Sequence, residues 1–243
     1  MGNSIIKQCK KLYIDAFHDD EQFTDLLFDL LYESSCRYLS EDGKVVSMLF
    51  AIDITMDGYK GKYVYAVATD ERYRGKGYMR KLFDSVTDEY QAKYDFLCLR
   101  PMDNSLFDFY EKLGFVRQFK KSIAYKINDI SHKKLFSLDD IGNIKKVRKH
   151  LLCENYVEYC DEFYKLLLSY CSMLTDDILN PNVFIVKELL SGKVKEVLGN
   201  FNQLPDEFNN VPLLIRGEDL DFAMVKFLKQ NSCQNKYLGF ALD

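Results

Sequence analysis

The sequence predicts an α/β protein in which a mixed central sheet flanked by helices fills residues 1–129 and a smaller α/β domain fills residues 130–243. Three observations carry this. Two N-terminal stretches place apolar residues at three- and four-residue spacing, the mark of amphipathic helices. Two runs rich in β-branched and aromatic residues then flank an Asp-Gly turn. Finally, strand, glycine-rich turn, helix and strand follow one another in the order of a βαβ unit.

Each element follows from local pattern. Ser4 to Phe17 and Glu21 to Tyr32 are the two helices, separated by the polar run His18-Asp19-Asp20. Cys36 to Leu39 and Val45 to Thr55 form a hairpin about Glu41-Asp42-Gly43. After Met56-Asp57-Gly58, the run Lys62 to Thr69 is apolar on both faces and suits a central strand. Gly77 to Ala92 has helical period through Met79, Leu82, Phe83, Val86 and Tyr90. Tyr94 to Arg100 is a strand ended by Pro101, Leu106 to Leu113 a short helix stopped by Gly114, and Phe115 to Ile127 a strand.

Beyond the polar stretch Asn128 to Lys134, a helical region runs from about Ile141 to Met173. The pattern then predicts strands over Asn182–Leu189, Val211–Arg216 and Lys236–Leu242, and helices over Lys193–Leu204 and Leu220–Leu228. That order repeats residues 62–127. It reads either as a diverged internal duplication or as an unrelated α/β cap.

Composition bounds the chemistry. With 243 residues, 47% hydrophobic and 29% charged, the chain can bury a core and is not intrinsically disordered. No apolar run reaches the roughly 18 to 20 residues of a bilayer span, and Met1 to Cys9 lacks the apolar stretch of a secretory signal, so a soluble cytoplasmic protein is expected. A net charge of −4 lacks the cation density that nucleic acid or an anionic membrane requires. Seven cysteines without a Cys-x-x-Cys pair, and three scattered histidines, do not make a zinc site and read as reduced thiols. No metal is expected.

The segment Val67-Ala68-Thr69-Asp70-Glu71-Arg72-Tyr73-Arg74-Gly75-Lys76-Gly77-Tyr78-Met79-Arg80 runs from a strand end through a loop into a helix. Without side chains at Gly75 and Gly77, the N–H groups of the first helical turn can approach a polyphosphate, and the helix dipole favours negative charge there. Arg74, Lys76 and Arg80 add cations around the same turn. A P-loop is excluded because Gly77, not Ser or Thr, follows Lys76. A dinucleotide fingerprint is excluded because Arg80 stands where its third glycine belongs, and Asp95 lies at the start of the next strand rather than its end.

Arg72-Tyr73-Arg74-Gly75-Lys76-Gly77 resembles the Arg/Gln-x-x-Gly-x-Gly pyrophosphate loop of the GNAT N-acetyltransferase superfamily. Asn104-Ser105-Leu106-Phe107-Asp108-Phe109-Tyr110-Glu111-Lys112-Leu113-Gly114-Phe115 resembles that superfamily's second signature, at the expected place after the next strand. The resemblance covers residues 1–127 element by element. It implies a GNAT-type fold in which Val67, Ala68 and Thr69 hydrogen-bond the pantetheine arm of acetyl-CoA through their backbone. It also implies that Gly75, Lys76, Gly77, Tyr78, Met79 and Arg80, with Arg74, hold the pyrophosphate, and that Asn104 contacts the pantetheine. Tyr110 matches the position whose hydroxyl faces the thioester sulfur. Glu71 stands where many members carry proline.

The implied activity is transfer of an acetyl group from acetyl-CoA to an amine in a direct ternary complex. Tyr110 is then the general acid for the departing thiolate, because a phenol of pKa about 10 stays protonated at neutral pH. Packing is the competing role for Tyr110, since Phe107, Phe109 and Leu113 share its helical spacing. The pattern identifies no general base, although Asp53 and Glu71 are available carboxylates. Asp19-Asp20-Glu21, between the first two helices, either favours a cationic acceptor or is an exposed acidic loop. The alternative function is a non-catalytic acyl-CoA-binding module that keeps the loop. An acetylating half followed by a degenerate half also resembles the enhanced-intracellular-survival aminoglycoside acetyltransferases, in which a chain-terminal carboxylate reaches the active site. The Asp243 terminus would be its counterpart, while that family's sterol-carrier-like domain has none here. The amine, and any oligomerisation, are not specified.

Overall fold

The computed structural model describes residues 2–125, 134–200, 212–217, 219–229 and 238–239. In chain order the elements are α1 (Gly2–Phe17), α2 (Glu21–Ser35), β1 (Cys36–Glu41), β2 (Lys44–Met56), β3 (Tyr59–Thr69), α3 (Tyr78–Tyr90), β4 (Phe96–Leu99), α4 (Ser105–Glu111) and β5 (Val116–Tyr125). They continue as β6 (Lys134–Leu135), α5 (Ile141–Leu152), β7 (Glu158–Tyr159), α6 (Asp161–Tyr170), β8 (Cys171–Thr175), β9 (Val183–Glu188), β10 (Val194–Gly199), β11 (Pro212–Arg216) and β12 (Leu220–Phe227). Two compact units result: one comprises Met1–Val116 with Met224–Ser232, the other Arg117–Ala223 with Cys233–Asp243.

The first unit holds a sheet in the order β1-β2-β3-β4 followed by the end of β12. It is mixed, as its pattern predicts: β3 and β4 are parallel, while β1–β2, β2–β3 and β4–β12 are antiparallel. Asp42 and Gly43, then Asp57 and Gly58, have positive φ, the twist that tight hairpins require. Helix α2 begins where the Asp20 carboxylate accepts the Phe23 N–H at 2.8 Å, so this member of the acidic run is a cap. Leu82, Phe83 and Val86 of α3 and Phe107 and Tyr110 of α4 bury against Val64, Leu97 and Leu99 of the sheet. Cys98 is fully buried in β4, as a small apolar residue.

One irregularity shapes this sheet. Met48 pairs with Ala68 and Phe50 with Tyr65, so Leu49 alone opposes both Ala66 and Val67. Ala66 absorbs the extra residue with φ +52. A β-bulge of this kind bends its strand. Parallel pairing of β3 with β4 ends at Val64 and Leu99, and β3 continues through Tyr65 to Thr69 beyond the end of β4.

The second unit contains a four-stranded antiparallel sheet, β10-β9-β8-β6, and the antiparallel pair β5–β11. The segments Lys193–Leu204 and Leu220–Leu228, predicted as helices, form the strands β10 and β12 as far as they are described. Val194, Val197 and Leu198 have helical spacing, but every residue from Val194 to Leu198 is buried, which a one-sided helix would not achieve. Glu196 tolerates this because Arg148, itself fully buried, reaches it at 3.2 Å. The region Ile141–Met173 divides into α5, β7, α6 and the first part of β8. The strand expected over Lys236–Leu242 lies outside the described residues except at 238–239, which are not in a strand.

With these helices gone, the β-α-β-α-β order on which the duplication rested is absent from the described residues. A different correspondence takes its place. Helices α5 and α6 lead into the meander β8-β9-β10 as α1 and α2 lead into β1-β2-β3, with the short β7 inserted between α5 and α6. In both cases the second helix passes into its strand without a loop, at Cys36 and at Cys171. Each cysteine has extended backbone and donates its N–H to the helix, to Tyr32 O and Leu167 O respectively.

Candidate active site

The site is assembled at the end of β3 that extends beyond β4. Its last residues are held on the β2 side, where the wholly buried Ser47 hydroxyl donates to Ala68 O at 3.0 Å and lies 3.1 Å from the Thr69 hydroxyl. The Asp70 N–H closes the strand end onto Val46 O at 2.9 Å. On the other side β4 has ended, so the backbone of Val67, Ala68 and Thr69 runs past it. Val67 and Thr69 are half-buried.

Asp70 then organises the loop. Its carboxylate accepts the Arg72 N–H at 3.0 Å and pairs with the Arg72 guanidinium at 2.7 Å, starting a single 3-10 turn over Glu71–Tyr73. These bonds hold the Asp70 carboxyl below the usual carboxylate range. Arg72 is thereby committed to the loop itself. The Arg74 side chain donates to Thr69 O at 3.2 Å, and the Lys76 ammonium sits 5.0 Å from the centre of the Tyr73 ring.

Gly75 and Gly77 both have positive φ, +74 and +80, and a Cβ built on either would meet nothing within 4 Å. The space the spacing called for is therefore open, and the conformation by itself selects glycine. Gly77 caps α3 without any side-chain hydrogen bond. The first-turn N–H groups of Tyr78, Met79 and Arg80 point out of a helix that carries no acidic residue in that turn. The Arg80 guanidinium reaches Lys112 O at 3.5 Å, linking this turn to the end of α4.

Asn104 and Tyr110 come from the second motif. Asp103 accepts both the N–H (2.8 Å) and the hydroxyl (2.5 Å) of Ser105, which lowers its own carboxyl and caps α4. Asn104 is exposed and its side chain makes no capping bond. Tyr110 is 7% exposed, its ring packed edge-on against Phe83, Phe109 and Phe115 at centroid distances of 5.9, 5.2 and 5.9 Å. Burial pushes its hydroxyl well above the ordinary phenol value, with the Asp103 charge adding to the shift. Val67 and Met79 pack against the same cluster as Tyr110, so strand end, helix start and α4 converge.

The two carboxylates noted as available bases have other partners or positions. Asp53 is paired with Lys62 at 2.9 Å and accepts the Tyr94 hydroxyl at 2.9 Å, directly across from Lys62 in the β2–β3 register. Glu71 is exposed in the loop. The Asp243 terminus lies outside the described residues. The sequence reading missed the bulge at Ala66 and the anchoring residues Ser47 and Asp70; only Asp70, one residue past a strand and before a loop, leaves a local signal as a turn cap.

No curated protein matches the chain. Among solved structures, a GCN5-related N-acetyltransferase from Anabaena variabilis is similar with a TM-score of 0.68 at 12% identity, over 93% of this chain and 71% of its own. A conserved protein of unknown function from Enterococcus faecalis gives 0.68 at 14% identity, over 94% and 71%. Eis1 from Mycobacterium abscessus gives 0.61 at 9% identity, over 90% and 70%. At these identities the likeness is one of fold. Residues 1–117 match the family model of the acetyltransferase (GNAT) domain. With the fold, both motifs and this match in agreement, the N-terminal half of the chain is a GNAT acetyltransferase domain.

Proposed function

We propose that the chain transfers an acetyl group from acetyl-CoA to an amine, within a domain read from the sequence as residues 1–129 and completed by the end of β12. The observation that carries this reading is the run of β3 beyond the end of β4 from the Ala66 bulge onward, followed after one loop by a helix start without a side-chain cap and with open space at both glycines. Backbone groups of Val67, Ala68 and Thr69 would bind the pantetheine arm as an added strand. N–H groups from Gly75 to Arg80, with the side chains of Arg74 and Lys76, would hold the pyrophosphate. Asn104, whose side chain is not needed for capping, would contact the pantetheine.

In this reading the amine attacks the acetyl carbonyl, and a β3 N–H near Val67 stabilises the oxygen as charge develops. Tyr110 donates its proton to the departing sulfur, and its raised pKa keeps that proton in place beforehand. A direct transfer is favoured because Cys98, the thiol in β4, is fully buried. The tight ring packing of Tyr110 favours a second reading, a module that binds acyl-CoA without turnover.

Thermal melting with acetyl-CoA and with desulfo-CoA, followed by thiol release against a panel of primary amines, tests both. A coenzyme-dependent rise in Tm with turnover is expected. A rise without turnover selects the binding module, and no rise with either coenzyme rejects both.

A further inference from the structure

Within the first unit, Tyr13 of α1, Asp19 in the turn after it and Tyr65 of β3 form a chain of hydrogen bonds. The Tyr13 hydroxyl donates to Asp19 Oδ2, and the Tyr13 and Tyr65 hydroxyl oxygens are 2.9 Å apart. Valence fixes the direction of each bond. A carboxylate only accepts, so Tyr13 gives its one proton to Asp19 and can meet Tyr65 only as an acceptor. Tyr65 must then donate to Tyr13. Its own oxygen is left with lone pairs and no proton to offer, which suits a ligand that brings an N–H.

The position of this chain matches that requirement. Tyr65 is the last residue before the bulged pair Ala66 and Val67, at the start of the segment that runs beyond β4. Its ring stacks on that of Tyr63 with centroids 6.4 Å apart, and the Tyr63 phenol lies within range of the Arg100 charge and near the Tyr110 phenol. Tyr13, the middle member, is wholly buried, while the two ends are more open, Tyr65 at 8% exposed and Asp19 half-buried, so the chain links the β3 end to solvent through an enclosed centre. Burial keeps both phenols protonated, as members of a relay must be.

We propose that Tyr65 receives a protonated primary amine as the acetyl acceptor and that Tyr13 and Asp19 carry its proton away. This rests on the acetyl-transfer reading above and adds the general base that the sequence did not reveal. One ammonium N–H bond breaks and its proton passes to Tyr65 as the Tyr65 proton moves to Tyr13 and the Tyr13 proton to Asp19, which releases it to solvent. The freed lone pair forms the C–N bond, and the C–S bond breaks as sulfur takes the Tyr110 proton. The second proton lost by nitrogen returns to Tyr110, so the sum is amide, free thiol and one released proton. The groups acting on the relay are Asp19 from the α1–α2 turn, Tyr63 from β3 and, through Tyr63, Arg100 beyond β4, Cys98 of β4 and Tyr110 of α4.

The test is the pH dependence of kcat/KM for thiol release with acetyl-CoA and spermidine, tyramine, Nα-acetyl-lysine amide and an alanine-initiated peptide. Asp19→Asn and Tyr65→Phe should each lower it by about tenfold or more near neutral pH. The Asp19→Asn deficit should shrink toward wild type as pH approaches the pKa of the amine, about 10 for the alkyl amines and about 8 for the peptide α-amine, where the acceptor arrives already neutral. Asp19→Glu should restore part of the loss, and the Tm rise with acetyl-CoA should persist in every variant. A loss in Asp19→Asn that is constant with pH, wild-type rates in either variant, or coenzyme binding with no amine accepted overturns the relay. Absence of any coenzyme-dependent Tm rise in the wild type removes the acetyl-transfer reading itself. If Asp19→Asn fails to fold, the same pH comparison with Tyr13→Phe decides.

Discussion

Tyr110 answers two demands at once, packing its ring among Phe83, Phe109 and Phe115 while its hydroxyl stays protonated. Phenylalanine keeps the first and removes the second. Tyr110→Phe should therefore leave Tm and coenzyme affinity nearly unchanged and lower turnover by about tenfold or more. Unchanged turnover would assign the residue to packing. Gly77 separates conformation from space in a similar way: its surroundings are open, yet φ is +80. Gly77→Val should strain the start of α3 by about 1–2 kcal/mol, read from urea unfolding, and abolish the acetyl-CoA-dependent Tm rise by filling the cradle. A normal rise would remove the phosphate assignment.

At the scale of elements, the pairing of β3 with β4 is secured by Asp95. Its carboxylate accepts the Lys60 N–H at 2.9 Å and meets Lys229 at 3.1 Å, while its carbonyl accepts the Leu228 N–H at 2.9 Å. The Lys60 N–H, and after it Lys229, lower the Asp95 carboxyl below its ordinary value. A depressed carboxyl stabilises the fold above its unfolded pKa, about 3.9, and loses that contribution as pH falls through the folded value. Melting of wild type and Asp95→Asn across acidic to neutral pH should show a gap near pH 7 that closes progressively below about pH 4. A gap independent of pH would place the stabilisation in the backbone bonds alone.

At the scale of the whole molecule, the unit that carries the candidate site is discontinuous in sequence. Met224 to Phe227 pair with Leu99 to Phe96, so the apolar strand β4 is covered on one edge by a segment 125 or more residues away. A fragment of residues 1–129 would leave that edge open, and an exposed apolar edge strand invites aggregation. This fragment should be recovered insoluble or melt without cooperativity, and adding residues 220–232 through a short flexible linker should restore a sharp transition. A soluble fragment with a sharp transition of its own would show that β12 is dispensable.

The sequence by itself determined what depends on neighbours along the chain: the first two helices, the Asp-Gly hairpins, the parallel strands about the glycine-rich turn, and the two motifs that place Gly75 to Arg80, Asn104 and Tyr110. Such features arise from turn chemistry and side-chain period, which are local. Tertiary structure decided the rest. Helical spacing in Val194 to Leu198 yields to a strand because Arg148 neutralises Glu196 in the interior, and β12 is a strand because β4 offers it an edge. The bulge at Ala66 and the alignment of Tyr13, Asp19 and Tyr65 likewise depend on groups tens of residues apart, whose meeting no local pattern records.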